Sequence, residues 1–182
     1  MMIDWFYTLH GIKKWVDNQE GLAALEAAML FPPMMALLFG VFDLGNGIVI
    51  SEKTINASQI AADLISRNKT VDTAALNDII AGTKLAYEPF GLNGFGIDLV
   101  SIEFDAQKKP VVLWRRTEGM LPNDSAVASV SGFSDQGEGM IIATVQYTYV
   151  PQFAQYFMGS GLDLQEVAFS RGRRSSTVTW GG

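Results

Sequence analysis

The chain contains no cysteine and only one histidine, His10. The missing thiols exclude a disulfide scaffold, a thiol nucleophile and a thiolate metal site. A single imidazole excludes the multi-histidine zinc sites and argues against a His-dependent catalytic triad. Charge is also scarce: charged residues make up 18% of the 182, with 13 Lys+Arg against 19 Asp+Glu and a formal net charge of −6. The sequence pI is near 4.7 and no long basic block is present, which argues against nucleic acid as a partner. What the chain has in quantity is apolar residues, 48% of the total, and they are unevenly placed.

Residues 22–42 read LAALEAAMLFPPMMALLFGVF, a run with one charge, Glu26. At 1.5 Å per residue such a helix spans roughly 31 Å, close to the hydrocarbon thickness of a bilayer. Its apolar residues go all the way round, whereas a core helix of a soluble domain keeps a polar face. A membrane-spanning helix is therefore expected, continuing less cleanly to residue 50, with a break at Gly45-Asn46-Gly47 and Asp43 at the outer interface. The run is too long for the apolar region of a cleaved secretory signal and no A-x-A site follows it. Lys13 and Lys14 in the preceding leader place the N-terminus on the cytoplasmic side and the long following segment outside.

A carboxylate a few residues inside a membrane span is expensive, so Glu26 is a functional candidate. It is the fifth residue after Gly21, in Gly21-Leu22-Ala23-Ala24-Leu25-Glu26, which matches the G/xxxxE processing pattern of type IV prepilins. That resemblance implies cleavage after Gly21 by a membrane aspartyl peptidase, with Leu22 as the new N-terminus. The new amine and Glu26 would lie about one helical turn apart. A charged amine from a neighbouring subunit would neutralise the buried acid and set the axial offset between helices. Pro32 and Pro33 remove the helical donors for the carbonyls of Ala28 and Met29, so a kink is expected there.

The stretch ALEAAMLFPPMMALLFGVFDLGNG resembles the N-terminal signature of TadE-like proteins, minor pseudopilins of the tight-adherence (Flp) pilus system. The elements that carry the resemblance are Glu26, Pro32-Pro33 and Gly40-Val41-Phe42-Asp43-Leu44-Gly45, and it covers roughly residues 21–66. It implies a protein of the bacterial inner membrane that crosses once, with a periplasmic C-terminal domain and a place in or under the pilus. It implies partners as well: membrane lipid, a prepilin peptidase, other pseudopilins, the Flp-type pilin and the inner-membrane assembly platform. No cofactor is implied, and the chain is expected to be an assembly protein, not an enzyme. Two other readings share this anatomy. One is an uncleaved membrane-anchored periplasmic scaffold; the other is a tethered ligand-binding module.

Beyond the membrane run the expected fold class is α+β, the layout of pilins: the long N-terminal helix, further helices, then a small antiparallel β-sheet. The expected divisions are a leader over 1–21, a transmembrane helix over 22–50 and a periplasmic domain over 51–182. Helical spacing appears over 51–67 and again over 72–87, with Thr70 or Asp72 as candidate cap. Strands are expected over 97–104, 111–116, 140–150 and 162–170, of which MIIATVQYTYV is the strongest, being rich in β-branched and aromatic residues. Pro89 and the glycines at 91, 94 and 96 mark a connection, and their helix-before, strand-after context is the reverse of a phosphate loop. Asp98, Glu103 and Asp105 read as a solvated face, Arg115-Arg116 and Arg171-Gly172-Arg173-Arg174 as surface charge, and Asn123-Asp124 as a turn. Phe153, Tyr156, Phe157 and Met158 follow a strand and, if exposed, would form a contact surface.

Overall fold

The computed structural model describes residues 20–159 and 161–181. It shows a long helix, a second helix and a four-stranded antiparallel sheet, the expected α+β layout. Helix α1 is Glu20–Ser66, followed by β1 (Thr70–Val71), α2 (Thr73–Leu85), β2 (Gly96–Phe104) and β3 (Pro110–Glu118). Then come α3 (Asp124–Ser129), β4 (Gly139–Tyr149), α4 (Gln155–Met158), β5 (Leu162–Ser170) and β6 (Thr179–Trp180). The chain forms two compact units, one ending at Asp43 and one running from Leu44 to the C-terminus.

In the first unit α1 carries apolar side chains on every face, and its large ones are exposed apart from the half-buried Met35 and Phe39. The helix continues through Pro32 and Pro33. It also continues through Gly45-Asn46-Gly47, where a break was expected. Two glycines cost a helix only about 1 kcal/mol each relative to alanine, and one of them has a packing reason. A Cβ on Gly47 would lie 3.2 Å from Cε1 of Tyr149, so the glycine lets the end of β4 approach the helix. Asp43 is buried, at 4% exposure.

The second unit is built on the sheet β3-β2-β4-β5, all of whose neighbours are antiparallel. The two-residue alternation of β2 and β4 divides their side chains between two cores. On one face Ile97, Leu99, Ile141, Ala143 and Val145 pack with Ile50, Ala57, Ala61, Ala62 and Ile65 of α1 and with Leu76, Ile79 and Ile80 of α2. The small residues of α1 repeat at helical spacing and bring its backbone close to the sheet. Thr54, Ser58 and Ser66 lie buried in the same half of α1, and their hydroxyls donate to the carbonyls of Ile50, Ile55 and Asp63 of the helix itself. On the other face Val100, Ile102, Phe104, Met140 and Ile142 pack with Ala126, Val127 and Val130 of the α3 segment. Asp72 caps α2, its carboxylate accepting from the Ala75 amide at 2.8 Å.

The C-terminal tail closes the domain, a feature that no periodicity in the chain announces. Strand β6 pairs in parallel with β1, matching Thr70 to Thr179 and Val71 to Trp180. The tail crosses the start of β4 so closely that a Cβ on Gly139 would meet the Ser176 carbonyl at 2.8 Å. Val178 is 1% exposed, in the core beneath α1 and α2. Its carbonyl accepts from both the Ser101 hydroxyl (2.7 Å) and the Trp114 indole N–H (2.8 Å). Val178→Asp should therefore place an unpaired carboxylate in the core and cost roughly 3–5 kcal/mol, a large share of the stability of a domain this size. Urea unfolding of the full chain in detergent, followed through the Trp114 region, should show the loss; an unchanged midpoint would mean the tail is not part of the core.

Candidate assembly helix

The residues singled out by the sequence lie close together at the start of α1. Gly21 is in its first turn, and Leu22 beside it is 55% exposed. Glu26 is exposed and lies one turn further along, as do Pro32 and Pro33 in the turns that follow. A Cβ on Gly21 or Gly40 would meet nothing within 4 Å. Residues 1–19, which include His10, Lys13 and Lys14 of the leader, lie outside the described residues.

From Leu22 to Phe42 ten large apolar side chains are each at least 50% exposed, among them Met29 (71%) and Leu37 (72%). Full burial of such a side chain is worth about 1.5–3 kcal/mol, so together they hold roughly 10–20 kcal/mol of burial that the chain itself does not supply. That is comparable to the whole stability of a typical domain. Helix α1 is the one candidate membrane span among the described residues, and none of its most apolar window is buried.

Several charged groups of the folded domain form structural pairs. Asp98, expected on a solvated face, is 1% exposed. It accepts from Nε of Arg115 (2.8 Å), Nη2 of Arg115 (2.5 Å), the Thr117 hydroxyl (2.8 Å) and the Asn123 amide (2.9 Å). Arg115 also reaches Asp124, so the arginine is no ordinary surface charge. Asn123 caps α3 by accepting from the Ala126 amide. The strand that carries Asp98 is covered on both faces, by α1 and α2 on one and α3 on the other, and a carboxylate there must be paired. Burial alone would raise the Asp98 carboxyl. The Arg115, Asn123 and Thr117 hydrogen bonds and the Arg115 charge outweigh it and hold the group below its ordinary value. The same contacts push Arg115 up.

Other candidates resolve in the same way. Tyr87 is fully buried and stacked on Tyr147 with ring centroids 4.7 Å apart, and burial pushes its hydroxyl up to about 12. It is a neutral phenol in the core and no acid–base group near neutral pH. Lys53 caps the end of α2, donating to the carbonyls of Ala86 and Glu88 at 2.9 Å each. Gly91 and Gly94 lie in the α2–β2 connection, and Gly96 opens β2. No group of three or more His, Asp or Glu side chains among the described residues could hold a metal ion.

The class is thus an α+β domain carried on a single helix whose first half is apolar enough to cross a bilayer. Along that helix residues 21–63 match the family described as TadE-like protein, so the chain carries a TadE-like segment there. Comparison with curated proteins gives no match, and comparison with solved structures gives none. The family match and the helix together support a membrane protein associated with the tight-adherence pilus.

Asp98→Ala should cost about 2–3 kcal/mol, less than for a fully buried pair because Arg115 is partly exposed and keeps Asp124. The sign with pH follows from the lowered carboxyl. Its contribution is complete above the unfolded value near 4 and is lost as pH falls through the folded value. Urea titrations at neutral pH and near pH 3 should show wild type and Asp98→Asn converging in acid. A constant gap between them would contradict the pairing.

Proposed function

We propose that this chain is a minor pseudopilin of the tight-adherence pilus, anchored in the bacterial inner membrane by residues 22–42 of α1. Its N-terminus is cytoplasmic and the α+β domain stands in the periplasm. What supports this reading most is a coincidence on one helix: a TadE-like match over 21–63, and a run of exposed apolar side chains with one acid near its start. In this reading the prepilin peptidase cuts between Gly21 and Leu22. The freed amine of one subunit pairs with Glu26 of the next and fixes the register of neighbouring helices in the bundle. Lipid covers the apolar faces before assembly, and helices of other pseudopilins or of the Flp-type pilin cover them afterwards. Pro32 and Pro33, each lacking an amide hydrogen, lower the cost of bending when the helix leaves lipid for the assembly. The inner-membrane platform is the place where that exchange occurs.

Two outcomes test the proposal. Glu26→Ala should lower surface piliation by roughly tenfold or more, the scale of one lost charge pairing, while membrane insertion and processing persist; normal piliation would remove the pairing from the account. Intact-mass measurement on protein from membranes should give a form beginning at Leu22 when the peptidase is present and a longer form when it is deleted. A longer form in both strains would favour the uncleaved scaffold.

A further inference from the structure

We infer that copies of this chain pair edge to edge through their sheets, with β5 of one copy lying antiparallel to β3 of the next. Every residue involved belongs to the second compact unit, so the inference stands apart from the place of residues 22–42. It goes beyond the proposed function, which joins subunits through α1. Three observations carry it.

The first is a pair of open edges. The sheet runs β3-β2-β4-β5, and among the described residues neither outer strand bonds its backbone to a further element. Strand β5 is nine residues long, pairs with β4 without a register shift and holds no proline or lysine. It lacks the bulge, the proline and the lysine with which natural sheets blunt an edge. Strand β3 shifts register once, opposite Ser101 and Ile102, and is regular from Trp114 to Glu118.

The second is charge. Strand β5 carries Asp163 and Glu166 and no base. On β3, Arg115 is held by Asp98 and Asp124, and Glu118 by Lys84. That leaves Arg116 exposed, and among the described residues neither it nor Glu166 has an ion-pair partner. Two β5 edges would bring four carboxylates together, and two β3 edges would bring two unpaired arginines. An edge of each kind joins opposite signs, so charge selects β5 against β3 of a second copy.

The third is register. Neighbouring strands are antiparallel throughout, so β3 of a second copy beside β5 continues the alternation. Glu166 stands opposite Val145, and Arg116 opposite Leu99. Val145 and Leu99 both lie in the core shared with α1 and α2, so Glu166 and Arg116 belong to the same face of the sheet. Pairing them turns no strand over. The same register sets the small Ala168 opposite Trp114, and Phe169 (47% exposed) opposite Leu113 (36%). Each contact uses two different edges and leaves one open at either end. It therefore repeats into an open row and does not close into a pair.

The absence of cysteine makes the test direct. Full-length Arg116→Cys and Glu166→Cys variants are reconstituted into phosphatidylcholine vesicles, separately and as an equal mixture, and oxidised. The mixture should give disulfide dimers at roughly tenfold the yield of either variant alone, and the double variant a ladder of dimer, trimer and longer species. Dimers formed as well by one variant alone would mean a two-fold contact and overturn the inference. A yield no higher than from a mixture of Asp135→Cys with Glu166→Cys would overturn it too. The charge argument has its own readout in cysteine-free protein. In detergent, Arg116→Glu should weaken self-association about threefold or more, measured by sedimentation, and Glu166→Arg in the same chain should restore it. Self-association that Arg116→Glu leaves unchanged would contradict the pairing.

Discussion

The apolar surface of α1 between Leu22 and Phe42 sets the terms for everything else in this chain. Ten large side chains stand at least half exposed, and no face of the helix is polar. A soluble monomer rarely exposes a contiguous apolar patch larger than a few hundred Å². The surface needs a solvent or a partner as apolar as itself. Lipid and a bundle of similar helices both satisfy that need with nearly the same apolar contacts. Specificity must then come from something other than hydrophobicity, and in the proposed reading Glu26 supplies it.

The second half of α1 meets a different constraint. From Ile50 onward it carries a stripe of Ala, Ser and Thr with occasional isoleucine, which lets the sheet pack closely. One helix thus serves two environments by changing side-chain size and polarity along its length. The domain it joins is held at several points by polar contacts that bridge elements: Lys53 to the end of α2, Lys84 to Glu118 at 2.6 Å, Asp98 to Arg115, and the Val178 carbonyl to Ser101 and Trp114. Each is satisfied by its structural partner.

Much of this was legible in the sequence, and the reasons are physical. The apolar run shows itself because no polar residue interrupts it on any face. Strands β2, β4 and β5 show themselves through β-branched and aromatic residues, and α2 through apolar spacing with Asp72 as its cap. The Gly-x-x-x-x-Glu spacing and the proline pair pointed to the family that the match over 21–63 supports. What was not legible depends on distant contacts. Gly45-Asn46-Gly47 resembles a helix end, yet Gly47 is there to admit Tyr149. Asp98 alternates with apolar neighbours as a surface residue would, and only the α3 segment lying over it explains its burial. Strands β1 and β6 are two residues each and carry no periodicity, so their pairing could not be seen. The adjacent Leu99-Val100 pair, which points to opposite faces, was the available signal that β2 is covered on both faces.

The central claim is that residues 22–42 are solvated by lipid. Alkaline carbonate extraction of membranes from cells making the full chain tests it most directly. The account predicts that the protein stays in the membrane pellet and is released only by detergent. Recovery as a detergent-free monomer in the supernatant would mean that the apolar helix is covered by the chain itself, and would contradict it.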